Sequence, residues 1–339
     1  MYKKYKQKIN KEMGTTIRKI VIVIVVLAVG HVYSQQDAHY TQYMFNKLPI
    51  NAGYTGAREV LSLRALYRDQ WVGLDGHPRT ITVSGHSPLK NENLAAGGYV
   101  VYDQLGLERK VTINGTYAYR VPIGEDMKLG IGINAGMFWY QHRLSQSRPN
   151  NIGDPSLTTD ISKILPEVGA GLYFYHPNFY LGWSIPNFVT LDLQEKGQNT
   201  TEEMYAKRVM HMYSQAGVVI PIGKVLKLRP QVMISNILNL KYKYPVTFDA
   251  NFSIMIYDRV NIGASYRTSM GKRSNPDNLN NGDSFDVMAE FWPTRQVMIG
   301  YAYDFTLTDL QDYNNGSHEV ILGYDFKYKK DRVITPRYF

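Results

Sequence analysis

Along most of this chain the side chains alternate with a period of two, in runs long enough to cross a lipid bilayer as strands. Between Gln296 and Phe326 the pattern is plainest. Val297, Ile299, Tyr301, Tyr303 and Phe305 fall on one side, and Met298, Gly300, Ala302 and Asp304 on the other. After a polar connection, Val320, Leu322, Tyr324 and Phe326 share a face opposite Glu319, Gly323 and Asp325, with Ile321 as the exception. Successive side chains of a strand point to opposite faces, so this is a hairpin with one apolar face and one polar or small face. Comparable runs occupy 60–68, 79–87, 95–103, 110–121, 128–140, 167–176, 179–185, 210–221, 226–235, 246–256, 259–267, 283–291, 296–304 and 317–326, fourteen in all. Most hold eight to thirteen residues, and a tilted transmembrane strand needs about 9–11. The count is even, as in single-chain outer-membrane barrels.

A soluble β-sandwich shares the alternation, and the connections separate the two. Long ones run over Gln141–Pro166, Pro186–Arg208, Asn236–Pro245, Thr268–Gly282 and Phe305–Gly316. Short ones are His176-Pro177-Asn178, Tyr257-Asp258, Trp292–Arg295 and the pieces around Ile123-Gly124-Glu125 and Ile222-Gly223-Lys224. With the first connection taken as external, every long one falls at the outer end, as an outer-membrane barrel requires. Two outer connections, Asp69–Pro78 and Asp103–Glu108, are shorter. The predicted fold is all-β: a closed transmembrane antiparallel β-barrel of about 14 strands, over residues 59–326.

Residues 1–34 read as a signal peptide. A head carrying Lys3, Lys4, Lys6, Lys8, Lys11, Arg18 and Lys19 precedes an apolar stretch, Ile20–Gly30, and a small residue, Ser34, at the cleavage point. Met13-Gly14 would open an equally good signal, so initiation at Met1 or Met13 stays open. Eleven apolar residues fall short of the about 20 that a membrane-spanning helix needs. Removing 1–34 takes away seven basic residues and one acidic, bringing the formal charge from +9 to +3. The basicity is mostly an export label, with no nucleic-acid partner implied. Residues 35–58 are rich in Tyr, Asn and Gly without a sustained period. They are expected to form an irregular segment plugging the lumen or its periplasmic mouth, with Tyr43, Phe45 and Tyr54 packed inside, since such aromatics would otherwise sit in water. Residues 327–339 are expected to form a basic periplasmic tail.

The chemistry of sites is sparse. No cysteine occurs, which excludes disulfides, thiolate metal sites and a cysteine nucleophile. The eight histidines are scattered without metal-ligand spacing, and no Gly-x-Ser-x-Gly elbow is present. No cofactor is predicted. Gly130-Ile131-Gly132-Ile133-Asn134-Ala135 loosely matches a dinucleotide fingerprint, but its glycines lie within a strand, where close backbone packing on the lumen face explains them better. Arg64, Arg68, Arg120, Asp249, Arg267, Asp286, Glu290, Asp304 and Glu319 fall on the inward side. On the lipid face each would cost about 2–4 kcal/mol at midplane for a base and less for an acid. They form either an ion-pair network stiffening the barrel or the wall of a polar channel.

Several stretches together resemble the PorP/SprF membrane proteins of the type IX secretion system and gliding machinery. They are Gln42-Tyr43-Met44-Phe45-Asn46, Tyr67-Arg68-Asp69-Gln70-Trp71-Val72-Gly73, Gly76-His77-Pro78-Arg79-Thr80, Tyr180-Leu181-Gly182-Trp183-Ser184-Ile185-Pro186-Asn187, Tyr301–Leu307, Gly316-Ser317-His318-Glu319 and Pro336-Arg337-Tyr338-Phe339. One departure is Asn51-Ala52-Gly53-Tyr54-Thr55-Gly56, where the family commonly reads Asn-Pro-Ala-Tyr-Ala-Gly; losing the proline is expected to loosen that turn.

The resemblance implies an outer-membrane, non-enzymatic barrel, embedded in outer-membrane lipid, that works with other type IX secretion components. It also implies, in several members, a secreted partner with a carboxy-terminal signal domain. The function expected is anchoring or handing on an adhesin-like surface protein through loops 141–166, 186–208 and 268–282. The alternative is a passive porin or hydrophobic-solute transporter, with a lipase-like enzyme a distant third.

Overall fold

A computed structural model describes residues 41–146, 160–192, 207–238, 246–270 and 284–326. The expected signal peptide and carboxy-terminal tail lie outside the described residues. Fourteen strands form the wall: β1 Ser62–Asp69, β2 Arg79–Pro88, β3 Leu94–Leu105, β4 Glu108–Pro122, β5 Lys128–His142, β6 Ile161–His176, β7 Phe179–Ile185, β8 Met210–Val218 continued by Ile220–Ile222, β9 Leu226–Leu238, β10 Val246–Ile256, β11 Val260–Met270, β12 Ser284–Phe291, β13 Val297–Thr306 and β14 Ser317–Asp325. Val219 interrupts β8, but both pieces keep one register on β9, from Gly217 opposite Gln231 to Ile220 opposite Leu228. They are one strand with a break.

Each strand pairs antiparallel with its neighbours in sequence, and β1 pairs with β14 from Ser62 opposite Asp325 to Asp69 opposite His318. Pairing of the first strand with the last closes the sheet into a barrel, the form of sheet that lipid admits. Burial follows the period of two. In β12 residues alternate strictly buried and exposed, and in β5 Ile131, Ile133, Met137 and Trp139 are exposed while Gly130, Gly132 and Asn134 are buried. Aromatics sit near both ends of the outward face, Trp139 and Phe305 at the outer end, Tyr119 and Tyr324 at the other, as interfacial girdles do.

The outward face gives a direct test. Ile133, near the middle of β5, is 57% exposed. Ile133→Arg is expected to lower stability by about 2–4 kcal/mol, measured by urea unfolding in lipid vesicles. An unchanged midpoint would show that this face does not meet hydrocarbon.

Strand boundaries match the expected runs to within two residues except at the outer ends of β6, β9 and β11, which extend by six, three and three residues. Residues 161–166, expected in a loop, extend β6, pairing Ile161 with His142 and Pro166 with Met137. Pro166 suggested a loop because it cannot donate to a ladder. It is tolerated because β7 pairs with β6 only from Ala170 onward, leaving Pro166 on an edge. Likewise the β3–β4 connection shrinks to residues 106–107, where Gly106 takes the left-handed conformation a tight turn needs (φ +55°). At the base of the β5–β6 loop, Asp160 accepts the Ser145 N–H (2.9 Å), a bond that holds its carboxyl below the usual range.

Candidate functional site

Residues 41–60 lie against the inward side chains of the barrel. The segment enters beside the outer ends of β1 and β14, where Glu319 accepts the backbone N–H of Thr41 (3.0 Å) and of Gln42 (2.7 Å). Further along, Ser84 Oγ donates to Asn46 Oδ1 (2.7 Å), Ser184 Oγ donates to the Ile50 carbonyl (2.8 Å), and the Gly56 N–H donates to His86 Nδ1 (2.8 Å). It leaves near the other end, where Arg58 pairs with Asp325 at 2.5 Å. Strands β1, β2, β7 and β14 thus all hold one peptide, and β4 adds a bond from Arg120 Nη1 to the Gly56 carbonyl (2.7 Å).

Local sequence shapes this path. Two short 3-10 turns, Tyr43–Phe45 and Ala52–Tyr54, punctuate the segment that the sequence marks as irregular. The second keeps its form without the family's proline. Asn51 Oδ1 accepts the Gly53 N–H (2.8 Å) while its Nδ2 donates to the Leu172 carbonyl (3.0 Å), and Thr55 Oγ1 donates to the Ala52 carbonyl (2.7 Å). The expected loosening is therefore offset by side chains. Asn51 has extended backbone (φ −140°, ψ 108°), which suits a following proline at the first position of a turn. Ala52→Pro is expected to raise stability by about 0.4–1 kcal/mol, read as a higher urea midpoint; a fall would show that the turn needs a conformation proline cannot take.

Glycines on the inner wall let the segment come close. A Cβ at Gly130 would lie 2.2 Å from the Gly53 carbonyl oxygen, and one at Gly132 2.2 Å from that of Ala52. Gly130 and Gly132 thus face the lumen, as their position in β5 predicts.

Two apolar clusters fix the rest. Tyr43, Met44, Phe45 and Ile50 pack with inward Leu66, Met288, Met298 and Ile321. Leu48 and Tyr54 pack with Tyr99, Tyr173 and Tyr180. Tyr54 meets Tyr173 edge-to-face at 5.1 Å, and the Lys47 ammonium lies 4.0 Å above the Tyr180 ring, a favourable cation–π geometry. Tyr43, Phe45 and Tyr54 are all buried.

The nine inward charges are all buried too. Arg68 Nη2 pairs with Asp304 (2.7 Å) and its Nη1 with Glu319 (3.3 Å), and it also donates to Thr41 Oγ1. Arg267 pairs with Asp249 (2.7 Å), and Arg64 with Asp325 (2.9 Å). Asp286 and Glu290 are held by neutral donors, Ser265 Oγ (2.7 Å) and Asn261 Nδ2 (3.3 Å). Arg120 spends its donors on the Gly56 and Glu92 carbonyls. Absent from the sequence-based set are Arg58, Arg229 and the Arg208–Glu167 pair (3.3 Å). Arg229 follows from the period through Gln231 and Met233, whereas Glu167 and Arg208 stood at the margins of stretches taken for loops.

A family profile described as type IX secretion system membrane protein PorP/SprF matches residues 32–324, most of the chain. The chain belongs to the PorP/SprF family. This PorP/SprF protein is accordingly a type IX secretion system membrane protein, located in the outer membrane, with an outer-membrane barrel fold. No curated protein matches the chain. Among solved structures it is similar to the CymD monoaromatic hydrocarbon channel, at 11% identity over 88% of this chain and 96% of that one (TM-score 0.49). It is also similar to a Pseudomonas aeruginosa FadL homologue, at 12% identity over 79% and 90% (TM-score 0.46). A third likeness is to the Acinetobacter baumannii outer membrane protein Omp33, at 10% identity over 79% and 100% (TM-score 0.43).

Proposed function

We propose that this PorP/SprF protein is a non-enzymatic barrel whose lumen is filled by its own amino-terminal segment and whose outer face anchors or hands on a secreted surface protein. The observation that carries the reading is that residues 41–58 are bonded to strands on several sides of the lumen. A filled interior leaves the outer rim as the working surface. Part of that rim is rigid: the Val72 N–H donates to the Gly316 carbonyl (2.9 Å), Asn315 N–H to Val72 (2.7 Å) and Gly106 N–H to Gly76 (2.8 Å). Loops 141–166, 186–208 and 268–282, large parts of which lie outside the described residues, are proposed to contact the partner.

Co-purification of a tagged full-length protein from mild detergent tests this. Other secretion components and a secreted protein carrying a carboxy-terminal signal domain are the expected companions; repeated purification without either argues against the role. The buried charges on the inner wall favour a second reading, a passive porin or hydrophobic-solute transporter. Single-channel recording separates the two, since steady conductance by the full-length protein supports transport.

A further inference from the structure

The inner segment crosses most of the height of the wall, and bonds at both ends fix its direction. Its first described residue, Thr41, is held near the outer rim. Glu319, the third residue of β14, accepts the Thr41 N–H (3.0 Å), and Arg68, next to last in β1, donates to Thr41 Oγ1. At the other end Arg58 pairs with Asp325, the last residue of β14, which also accepts from Oγ of Ser62, the first residue of β1 (2.8 Å). Glu319 and Asp325 are six steps apart on one strand, about 20 Å at about 3.4 Å per step. The chain therefore descends from the outer opening, turns at residues 59–61 and climbs again as β1.

Cleavage after Ser34, as the sequence predicts, leaves six residues ahead of Thr41. Fully extended they reach at most about 20–22 Å, so a return to the periplasmic side would need a straight path down the lumen. That path is taken. Beside Glu319 the Gln42 side-chain amide donates to the Glu319 carbonyl (3.2 Å), and lower down Tyr43 and Phe45 share one packed cluster with Leu66, Met298 and Ile321. At the foot Arg58 and Arg64 both hold Asp325. Tyr43, Leu66, Met298 and Ile321 are at most 2% exposed. A second run of peptide there would displace them and bring its own backbone N–H and C=O groups into the core without partners. Passage between the strands is closed too, because β1 and β14 pair without a break from Ser62 opposite Asp325 to Asp69 opposite His318. The outward direction ends in water, which satisfies those groups.

We propose that the segment is threaded amino end outward, so that the mature amino terminus emerges at the cell surface beside the β1–β2 and β13–β14 connections. The proposal rests on the reading that residues 41–58 fill the lumen. It adds the chain's own first residues to the outer rim, where Val72 and Gly316 already join those two connections, as part of the surface that meets a secreted partner.

The chain has no cysteine, so single thiols report position cleanly. Cells carrying Gln36→Cys are treated with a membrane-impermeant maleimide before and after the outer membrane is permeabilised. Asp75→Cys, on the exposed β1–β2 connection, and Glu125→Cys, in the exposed β4–β5 turn, are the outer and periplasmic controls. Gln36→Cys is expected to label as fully in intact cells as in permeabilised ones, like Asp75→Cys, whereas Glu125→Cys gains its label only on permeabilisation. A second variant, with a Gly-Ser spacer between the new thiol and Asp37, carries the thiol clear of the rim. Labelling of both variants only after permeabilisation, or of neither in any state, would overturn the proposal. Thr55→Cys with Thr116→Cys tests the filled lumen separately, since the two hydroxyls lie 3.0 Å apart and thiols so placed should oxidise to a disulfide. A disulfide together with a periplasmic amino end sinks the threading alone. Absence of the disulfide in folded protein removes the filled lumen and the threading with it.

Discussion

Replacing Arg68 by methionine is expected to destabilise the barrel by about 3–5 kcal/mol, the cost of leaving a buried charge without its partner. The Arg68 side chain is 2% exposed, and its partners Asp304 and Glu319 are 7% and 1% exposed. Methionine preserves most of the volume and removes the cation, so two carboxylates stay in the wall with their attraction gone. Glu319 has a second duty, since it accepts the first two amides of the inner segment; loss of Arg68 should therefore loosen the entry of that segment as well. Urea unfolding in vesicles, followed by tryptophan fluorescence, measures the effect. Lys90→Met, on an exposed turn, should stay within about 0.5 kcal/mol. The triple variant Arg68→Met, Asp304→Asn, Glu319→Gln should recover much of the loss because no uncompensated charge remains. A single variant as stable as the parent would mean that water reaches this cluster and the pairing matters little.

The exterior of this barrel was legible in the sequence because lipid imposes the same kind of demand at every outward position. A charged residue there is costly at midplane and much less so near the interfaces, so the period of two is cleanest in the middle of the strands. The inward face answers to a different partner at each position. Ile321 broke the expected polar pattern in β14, and Leu66, Met288 and Met298 share its cluster; each is apolar because Tyr43, Met44 and Phe45 lie against it rather than water. Charges could be assigned to a face but not to partners, since Arg68 meets residues 236 and 251 positions away. The length of β6 was hidden by Pro166, whose missing donor is harmless only because β7 stops short. Shortness of one neighbour is a tertiary fact, invisible in the run itself.

If the inner segment fills the lumen as proposed, forcing it out should raise the steady current through the barrel above that of the parent protein. Gly130→Val and Gly132→Val together place side chains where the carbonyl oxygens of Gly53 and Ala52 now sit, each Cβ arriving 2.2 Å from oxygen. The wall is fixed at these positions by pairing on both sides of β5, so the segment must yield. Its departure leaves a lumen lined by paired charges and by the apolar patch around Ile321, and water enters. Tyr43, Met44, Phe45, Leu48 and Ile50 then lose their burial, worth about 1.5–3 kcal/mol for each large apolar side chain, so the open form is also the less stable one. Deleting residues 37–56 should give the same open state by a different route. Planar-bilayer recording reads the current, and retained strand content by circular dichroism certifies that the wall is intact. Variants that remain folded and silent would show that the segment is not what closes the lumen, and the proposed division between a filled interior and a working outer rim would have to be given up.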